Sequence, residues 1–334
     1  MTETTNMAVK EAAELLANGR LVAFPTETVY GLGADASNDE ALENLFKVKG
    51  RPTKHPVIVH LAEHEQVGDW CAELPDAAIV LGKLFWPGPM TLVLKKAEHV
   101  HDMITGGQDT VAIRIPSHPM AQELLREFGK GIAAPSANKF GRLSPTSAED
   151  VKAELGDEIA MILDGGPCQV GIESTIIDVS GAVPRILRPG IIQTESIYVA
   201  LHEVSLEVPE AAKGDAPRVP GSMTAHYSPT TPLRLVPSDN FIKDVEQLER
   251  EGQEVAVLSF QNAPLLQKRW ITSSRFPAHY AHTLYKNLRK LDSLGSDLIV
   301  VEQPPKESDW EGINDRLLRA AGMGDSAAEA CDGS

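Results

Sequence analysis

Three short segments of the sequence gather the residue types that a bound anion needs. The first is Pro25-Thr-Glu-Thr-Val-Tyr-Gly-Leu-Gly33, which follows a short apolar run. Hydroxyls on Thr26, Thr28 and Tyr30 offer donors, and Gly31 and Gly33 let the backbone come close to a small polar ligand. The same residues also read as a plain turn with capping threonines. The second segment is Lys49-Gly-Arg51, whose alternate cations could face one anion. Lys47, Lys49, Arg51 and Lys54 fall within eight residues that contain no acid, a pattern equally suited to a helix C-terminus, where cations complement the dipole. The third is Pro135-Ser-Ala-Asn138, after a short apolar strand, the position where α/β sheets place ligand contacts. Together they describe a polyanion site built from point charges, hydroxyls and amides.

Other chemistries lack their residues. Gly166-x-x-x-x-Gly171 continues as Ile-Glu-Ser-Thr and not Lys-[Ser/Thr], so it is no P-loop, and no Gly-x-Gly-x-x-Gly follows a strand. His60 and His64 are four apart, but Glu65 does not complete His-Glu-x-x-His, so no metal held by protein side chains is expected. No Gly-x-Ser-x-Gly elbow occurs and Cys168 has no activating partner in sequence, which disfavours covalent catalysis.

Interleaved strands and helices must position these segments. Apolar spacing predicts a helix over 7–18 ending at Gly19, a strand Leu21–Phe24, a helix over 39–49 stopped by Gly50, and a strand Val57–Leu61. Helical patterns follow at 63–73 and 76–85, then strands over 90–94 and 111–115. Ser117 is the expected cap of a helix running to Phe128. A short strand over 131–134, a helix over 147–155 and strands near 159–163, 175–179 and 184–187 complete an α/β domain with a largely buried sheet. Six prolines between 204 and 237 mark a linker, into which Pro220-Gly-Ser-Met-Thr-Ala-His-Tyr-Ser-Pro229 places an aromatic and a histidine. Beyond it, strands over 233–236, 255–258 and 298–301 alternate with helices over 239–251, 277–294 and 310–321, the rhythm of a small parallel sheet. The expected organisation is therefore an α/β domain over 7–203, a Pro-rich linker over 204–231, a small α/β domain over 232–321 and a disordered tail over 322–334.

Composition bounds the function classes. The chain has 334 residues with 31 Lys or Arg against 47 Asp or Glu, a net charge of −16. That balance argues against tight direct binding of nucleic acid, which needs a basic face. No apolar run approaches the ~20 residues of a bilayer span, and the first residues lack the pattern of a signal peptide. Three scattered cysteines form neither a disulfide framework nor a zinc cluster. A cytoplasmic location with no membrane partner is expected.

Seven spaced motifs carry a resemblance to a known family: Phe24-Pro-Thr-Glu-Thr-Val-Tyr-Gly-Leu-Gly-Ala34, Lys47-Val-Lys-Gly-Arg-Pro52, Trp86-Pro-Gly-Pro-Met-Thr-Leu92, Val111-Ala-Ile-Arg-Ile-Pro116, Ala134-Pro-Ser-Ala-Asn138, Glu173-Ser-Thr-Ile-Ile177 and Arg188-Pro-Gly190. With His226-Tyr-Ser-Pro229 and Gly312-Ile-Asn-Asp-Arg-Leu317, the chain resembles the long, two-domain form of threonylcarbamoyl-AMP synthase from about residue 8 to 321. The resemblance implies a YrdC-like twisted open sheet with flanking helices and a concave site, followed by a linker and a small Rossmann-like α/β domain. It also implies condensation of L-threonine, bicarbonate or carbon dioxide, and ATP, with magnesium accompanying the nucleotide. The product would pass to a threonylcarbamoyl transferase that modifies the adenosine beside the anticodon of ANN-decoding tRNA.

Carried over by position, Thr28, His60, Arg114, Ala134 and Ser174 would hold threonine, and Arg51, His55, Thr110, Ser136, Ser144, Arg188 and Tyr227 would hold ATP. Lys49, Arg51, Ser136 and Asn138 form the expected catalytic set, and His55 stands where the family commonly has Asn. Arg114 suits a bidentate clamp on the threonine carboxylate. Lys49 and Arg51 suit neutralisation of charge developing on phosphate. The competing readings are an RNA-binding module, a carbamoyl-adenylate enzyme of metal-centre maturation, and a catalytically silent regulator.

Overall fold

The structure, a computed structural model, describes residues 3–202, 216–221, 223, 226–263 and 269–323. Two compact units divide the chain. One comprises Met1–Phe140, Pro145–Gln169 and Glu173–Ser222, and the other comprises Gly141–Ser144, Val170–Ile172 and Met223–Ser334. Of the expected linker, 204–215 lies outside the described residues, 216–221 folds with the first unit, and 226–231 folds with the second.

The first unit runs α1 (Glu3–Ala17), β1 (Val22–Phe24), β2 (Gly31–Asp35), α2 (Asp39–Lys49), β3 (Ile58–His60), α3 (Asp76–Phe85), β4 (Met90–Lys95), α4 (Asp102–Thr105) and β5 (Thr110–Arg114). It continues with α5 (Pro119–Phe128), β6 (Ile132–Ala133), α6 (Ala148–Leu155), β7 (Met161–Ile162), β8 (Thr175–Asp178), β9 (Arg185–Arg188) and α7 (Thr194–His202). The strands form one mixed sheet in the order β7-β1-β2-β6-β3-β5-β4-β8-β9. Antiparallel pairing of Phe24 with Gly31 closes Pro25–Tyr30 into the loop between β1 and β2.

Strand alternation decides which face does what. Val59, Leu92, Leu94, Val111, Ile113 and Ile177 point to one face, where they join Leu42 and Leu45 of α2, Leu81 of α3 and Leu155 of α6 in the main core. On the other face, α1 and α5 cover only one end, packing Ala12, Leu16, Leu124 and Leu125 against Val22, Phe24 and Ile132. The remaining part of that face, Ile58, Val93, Ala112 and Ile176, packs against Val219 from the segment after the undescribed linker residues. Thr110, Arg114 and His60 share this face by the two-residue period.

Several boundaries differ from expectation. The first helix begins at Glu3, and 63–73 holds only a 3₁₀ turn, His64–Asp69, closed by a capping box between Glu63 and Gln66. His118 rather than Ser117 caps α5, with Pro119 at its first position. The Ser117 amide instead donates to Glu27 Oε2 at 3.1 Å. Helices α4 and α7 were not legible in the pattern. Gly50, at φ 62°, ends α2 in the left-handed region as expected.

The second unit carries β10 (Leu233–Val236), α8 (Phe241–Arg250), β11 (Val255–Ser259), β12 (Trp270–Thr272), α9 (Pro277–Asp292), β13 (Leu298–Glu302) and α10 (Glu311–Ala320). Its four strands are parallel in the order β10-β13-β11-β12. Phe241, Val245 and Leu248 of α8 pack on Val236, Val255, Val257 and Val300, and the α9 stripe Ala281, Leu284, Leu288 and Leu291 is buried as its spacing predicts. Strand β12 is the element the sequence reading missed here. Of the expected tail, 324–334 lies outside the described residues. Among the described residues, no helix is long and apolar enough to cross a membrane.

Candidate active site

The part of the sheet that α1 and α5 leave uncovered carries three of the predicted site residues, His60, Thr110 and Arg114. His60 and Arg114 are register partners at the ends of parallel β3 and β5. Arg114 is 3% exposed and lies on an interior strand. Its Nη1 donates to Thr28 Oγ1 at 2.8 Å, its Nε to the Gly88 carbonyl at 3.3 Å, and its Nη2 lies 2.7 Å from Glu27 Oε1. That last contact is an ion pair whose N–H is poorly aligned with the oxygen, leaving both atoms without a hydrogen-bond partner in a fully buried setting. Burial, then the charge of Arg114, pushes the His60 imidazole down to about 3, so it is neutral at ordinary pH.

The Pro135–Asn138 segment forms the second wall. Gly31 and Ser136 form an isolated bridge, Leu32 N donates to the Pro135 carbonyl, and Ala137 N donates to the Tyr30 carbonyl. Ala134 N donates to the Ile58 carbonyl at 2.9 Å, which ties this wall to β3. Lys49, at the end of α2, reaches into the segment: its Nζ donates to the carbonyls of Ser136 and Asn138 at 2.5 Å each. Burial, followed by the nearby Arg51 charge, holds the Lys49 pKa well below the usual lysine range. Lys49 therefore braces the backbone of Ser136–Asn138, and the two cations do not present themselves alike.

Arg51 projects differently. Its Nη2 donates to the Pro56 carbonyl at 2.7 Å and its Nε to the His55 carbonyl at 3.4 Å, with the guanidinium 5.5 Å from the Phe140 ring centre. The half-buried His55 ring lies 5.3 Å from that of Phe140. A third cluster joins Ser174 and Arg188. Arg188 Nε and Nη2 donate to the Ser174 carbonyl at 3.1 and 2.9 Å, and Nη2 also reaches Ser174 Oγ at 3.2 Å. The hydroxyls of Ser174 and Thr91 are 2.7 Å apart.

The structure thus joins Thr28 with Arg114, Lys49 with Ser136 and Asn138, Arg51 with His55, and Ser174 with Arg188. Thr110 starts β5 on the same face as Arg114. Ser144 and Tyr227 belong to the second unit, where the buried Tyr227 ring lies 5.4 Å from the Arg316 guanidinium. Two first-segment hydroxyls serve the turn reading instead of a ligand. Thr26 Oγ1 donates to the Val29 carbonyl and accepts from the Thr28 and Val29 amides, and Tyr30 Oη donates to the Gly166 carbonyl. Cys168 is buried, and desolvation followed by the Glu27 charge pushes its thiol up to about 12, which fits no nucleophile. Glu27 is the functional candidate that the sequence reading passed over; an acid inside a hydroxyl-rich loop was the available signal.

This geometry defines an α/β protein whose mixed sheet carries an arginine–carboxylate pair, buried hydroxyls and a loop braced by lysine. Comparison with known proteins agrees. A family profile described as "Telomere recombination", of the Sua5, YciO and YrdC proteins, matches residues 14–190, and one described as "Threonylcarbamoyl-AMP synthase, C-terminal domain" matches 192–322. Threonylcarbamoyl-AMP synthase of Pyrococcus abyssi is 38% identical over 94% of each chain, and that of Bacillus subtilis is 38% identical over 96% of this chain and 94% of the relative. A crystal structure of P. abyssi Sua5 complexed with L-threonine aligns with a TM-score of 0.88 at 37% identity, covering 96% of this chain and 95% of that one. The chain belongs to the threonylcarbamoyl-AMP synthase family, in its two-domain form.

Proposed function

We infer that the chain does what its family does: it condenses L-threonine, bicarbonate or carbon dioxide, and ATP to threonylcarbamoyl-AMP with release of pyrophosphate, for threonylcarbamoyladenosine modification of tRNA. The observation that carries the reading for this site is the pairing of His60 and Arg114 on the helix-free part of the sheet face, with Thr28 of the β1–β2 loop bound to Arg114 and the Lys49-braced Ser136–Asn138 segment linked to β3 through Ala134.

In this reading Thr28, His60, Arg114, Ala134 and Ser174 hold threonine, and the planar fork of Arg114 reads its carboxylate. A neutral His60 does not repel the amine. The amine nitrogen attacks carbon dioxide and loses a proton, giving a carbamate. A carbamate oxygen then attacks the α-phosphorus as the bond to pyrophosphate breaks. Arg51, His55, Thr110, Ser136, Ser144, Arg188 and Tyr227 hold the nucleotide. Such transfers depend on positioning and charge stabilisation. Arg51 supplies the charge, while Lys49, with Asn138, keeps Ser136 in place.

Magnesium enters as part of the ATP substrate. The ion would be carried on the phosphate oxygens of ATP. We assign catalysis to 7–203, a covering role to the linker 204–231 and a separate α/β domain to 232–321, and place the protein in the cytoplasm beside a downstream transferase. Pyrophosphate release with bicarbonate and ATP tests the reading. It should require threonine and fall sharply when serine replaces it; release independent of the amino acid would overturn it.

A further inference from the structure

We propose that Thr91 is a positioning residue for the amino acid: its hydroxyl donates to Ser174 Oγ and so commits the Ser174 O–H to an oxygen atom of the bound threonine. This rests on the reading of the chain as a threonine-dependent synthase, in which Ser174 is one of the threonine contacts.

Register sets Thr91 among the residues of that site. His60 of β3 pairs with Arg114 of β5. Strands β4 and β5 are antiparallel with Leu92 opposite Ile113, and the same register carried one residue further sets Thr91 beside Arg114. On its other side Thr91 pairs with Ile176 of β8, and Ile176 pairs with Arg188 of β9. One row, His60, Arg114, Thr91, Ile176 and Arg188, therefore crosses the neighbouring strands β3-β5-β4-β8-β9. The two-residue period puts Thr91 on the face of Val93, which packs with Ile58, Ala112 and Ile176 on the helix-free part of the sheet. His60, Arg114 and Arg188 already carry expected substrate contacts; Thr91 is the remaining polar member of the row. Its side chain is fully buried, where a hydroxyl costs desolvation that a valine of the same shape would avoid.

The direction of the hydrogen bonds follows from what each group can do. Thr91 Oγ1 and Ser174 Oγ lie 2.7 Å apart, and either could donate. Arg188 can only donate, and its Nη2 gives a hydrogen bond to Ser174 Oγ at 3.2 Å. Among the described residues, Ser174 Oγ is the one hydrogen-bond partner of the Thr91 hydroxyl. Two hydroxyls that share one bond leave one O–H over. Left on Thr91, inside the sheet, it would stay unsatisfied with or without a ligand. Left on Ser174, it meets the substrate. With threonine bound, Thr91 as donor satisfies every group: Ser174 Oγ accepts from Thr91 and from Arg188, which fills both lone pairs, and its own proton goes to the ligand. Such a donor reads a carboxylate or hydroxyl oxygen and not the ammonium group.

Thr91→Val keeps the branched shape and removes the hydroxyl. The calorimetric Kd and the KM for threonine should both rise about three- to tenfold, the worth of one neutral hydrogen bond, with the ATP KM within about twofold of wild type. Thr91→Ser should restore both threonine constants. In a Ser174→Ala background Thr91→Val should add little, because the residue acts through Ser174. Unchanged threonine constants in Thr91→Val would overturn the proposal, as would an equal rise in the ATP KM. A Thr91→Ser variant as weak as the valine one, or a full Thr91→Val effect without the Ser174 hydroxyl, would overturn it too. Thr91→Ala is read in the same way if the valine variant does not fold. A wild-type protein that bound no threonine would put the functional reading at fault instead.

Discussion

The carboxylate of Glu27 lies 2.7 Å from Nη2 of Arg114, and each side chain is only 4% exposed. A pair so deeply buried is a poor source of net stability, but breaking it is expensive, because the surviving charge stays desolvated. The other Glu27 oxygen accepts the Ser117 amide, so the acid joins the β1–β2 loop to the start of α5 and sets the angle of the Arg114 fork.

Glu27→Gln should therefore act on both stability and recognition. The amide keeps a carbonyl for Ser117 but leaves Arg114 without its counter-charge, so a loss of about 3 kcal/mol in urea unfolding is expected. Threonine KM should rise about tenfold as Arg114 loses its fixed orientation, with ATP KM little changed. Lost stability with an unaltered threonine KM would confine Glu27 to the fold.

Lys49 makes a different prediction from its neighbour. Lys49→Met removes the donor shared by the part-buried Ser136 carbonyl and the buried Asn138 carbonyl, and the buried one costs about 1–3 kcal/mol when left unsatisfied. The variant should lose stability, raise ATP KM and lower kcat, while calorimetric threonine binding without ATP persists. Arg51→Ala, by contrast, should depress pyrophosphate release with a smaller effect on unfolding. If both variants release pyrophosphate at the wild-type rate, neither residue serves the nucleotide.

Much of this arrangement was legible in advance, and the rest has identifiable physical reasons. Val57–Leu61 and Val111–Ile115 alternate plainly, and Gly50 marks the end of α2 because only the left-handed region turns the chain there. Which face of those strands is left uncovered depends on the strand order, which no local spacing encodes. The pattern suggested that Lys49 and Arg51 act alike. Their separation arises because the Ser136–Asn138 loop, distant in sequence, supplies carbonyls to one and not the other. Ser117 and His118 are both capable caps; Pro119 at the first helical position makes His118 the cap, and the Ser117 amide donates to Glu27 instead. Short elements such as β12 and α7, rich in β-branched or aromatic residues, carry too little periodicity to announce themselves.

Ser174 and Arg188 should behave as one unit although the resemblance assigns them to different substrates. Arg188 binds both the carbonyl and the hydroxyl of Ser174. Arg188→Lys loses the fork and should raise the KM of both threonine and ATP. A double-mutant cycle with Ser174→Ala should give a coupling of about 1 kcal/mol in kcat/KM for threonine. Additive effects would mean that the two side chains work independently.

The last prediction concerns pH. His60 has a folded-state pKa near about 3, pushed down first by burial and then by Arg114, against an ordinary value of 6.5. Below pH 6.5 the unfolded chain takes up a proton that the folded chain refuses. The contribution is intact above 6.5 and is lost as pH falls toward 3, with a slope of about 1.4 kcal/mol per pH unit. Urea midpoints of the wild type should therefore fall more steeply between pH 6 and pH 4 than those of His60→Gln, whose carboxylates titrate alike but whose residue 60 cannot charge. Parallel curves would show that His60 does protonate in the fold, and kcat/KM for threonine should then break near pH 6.5 where a neutral imidazole leaves it flat.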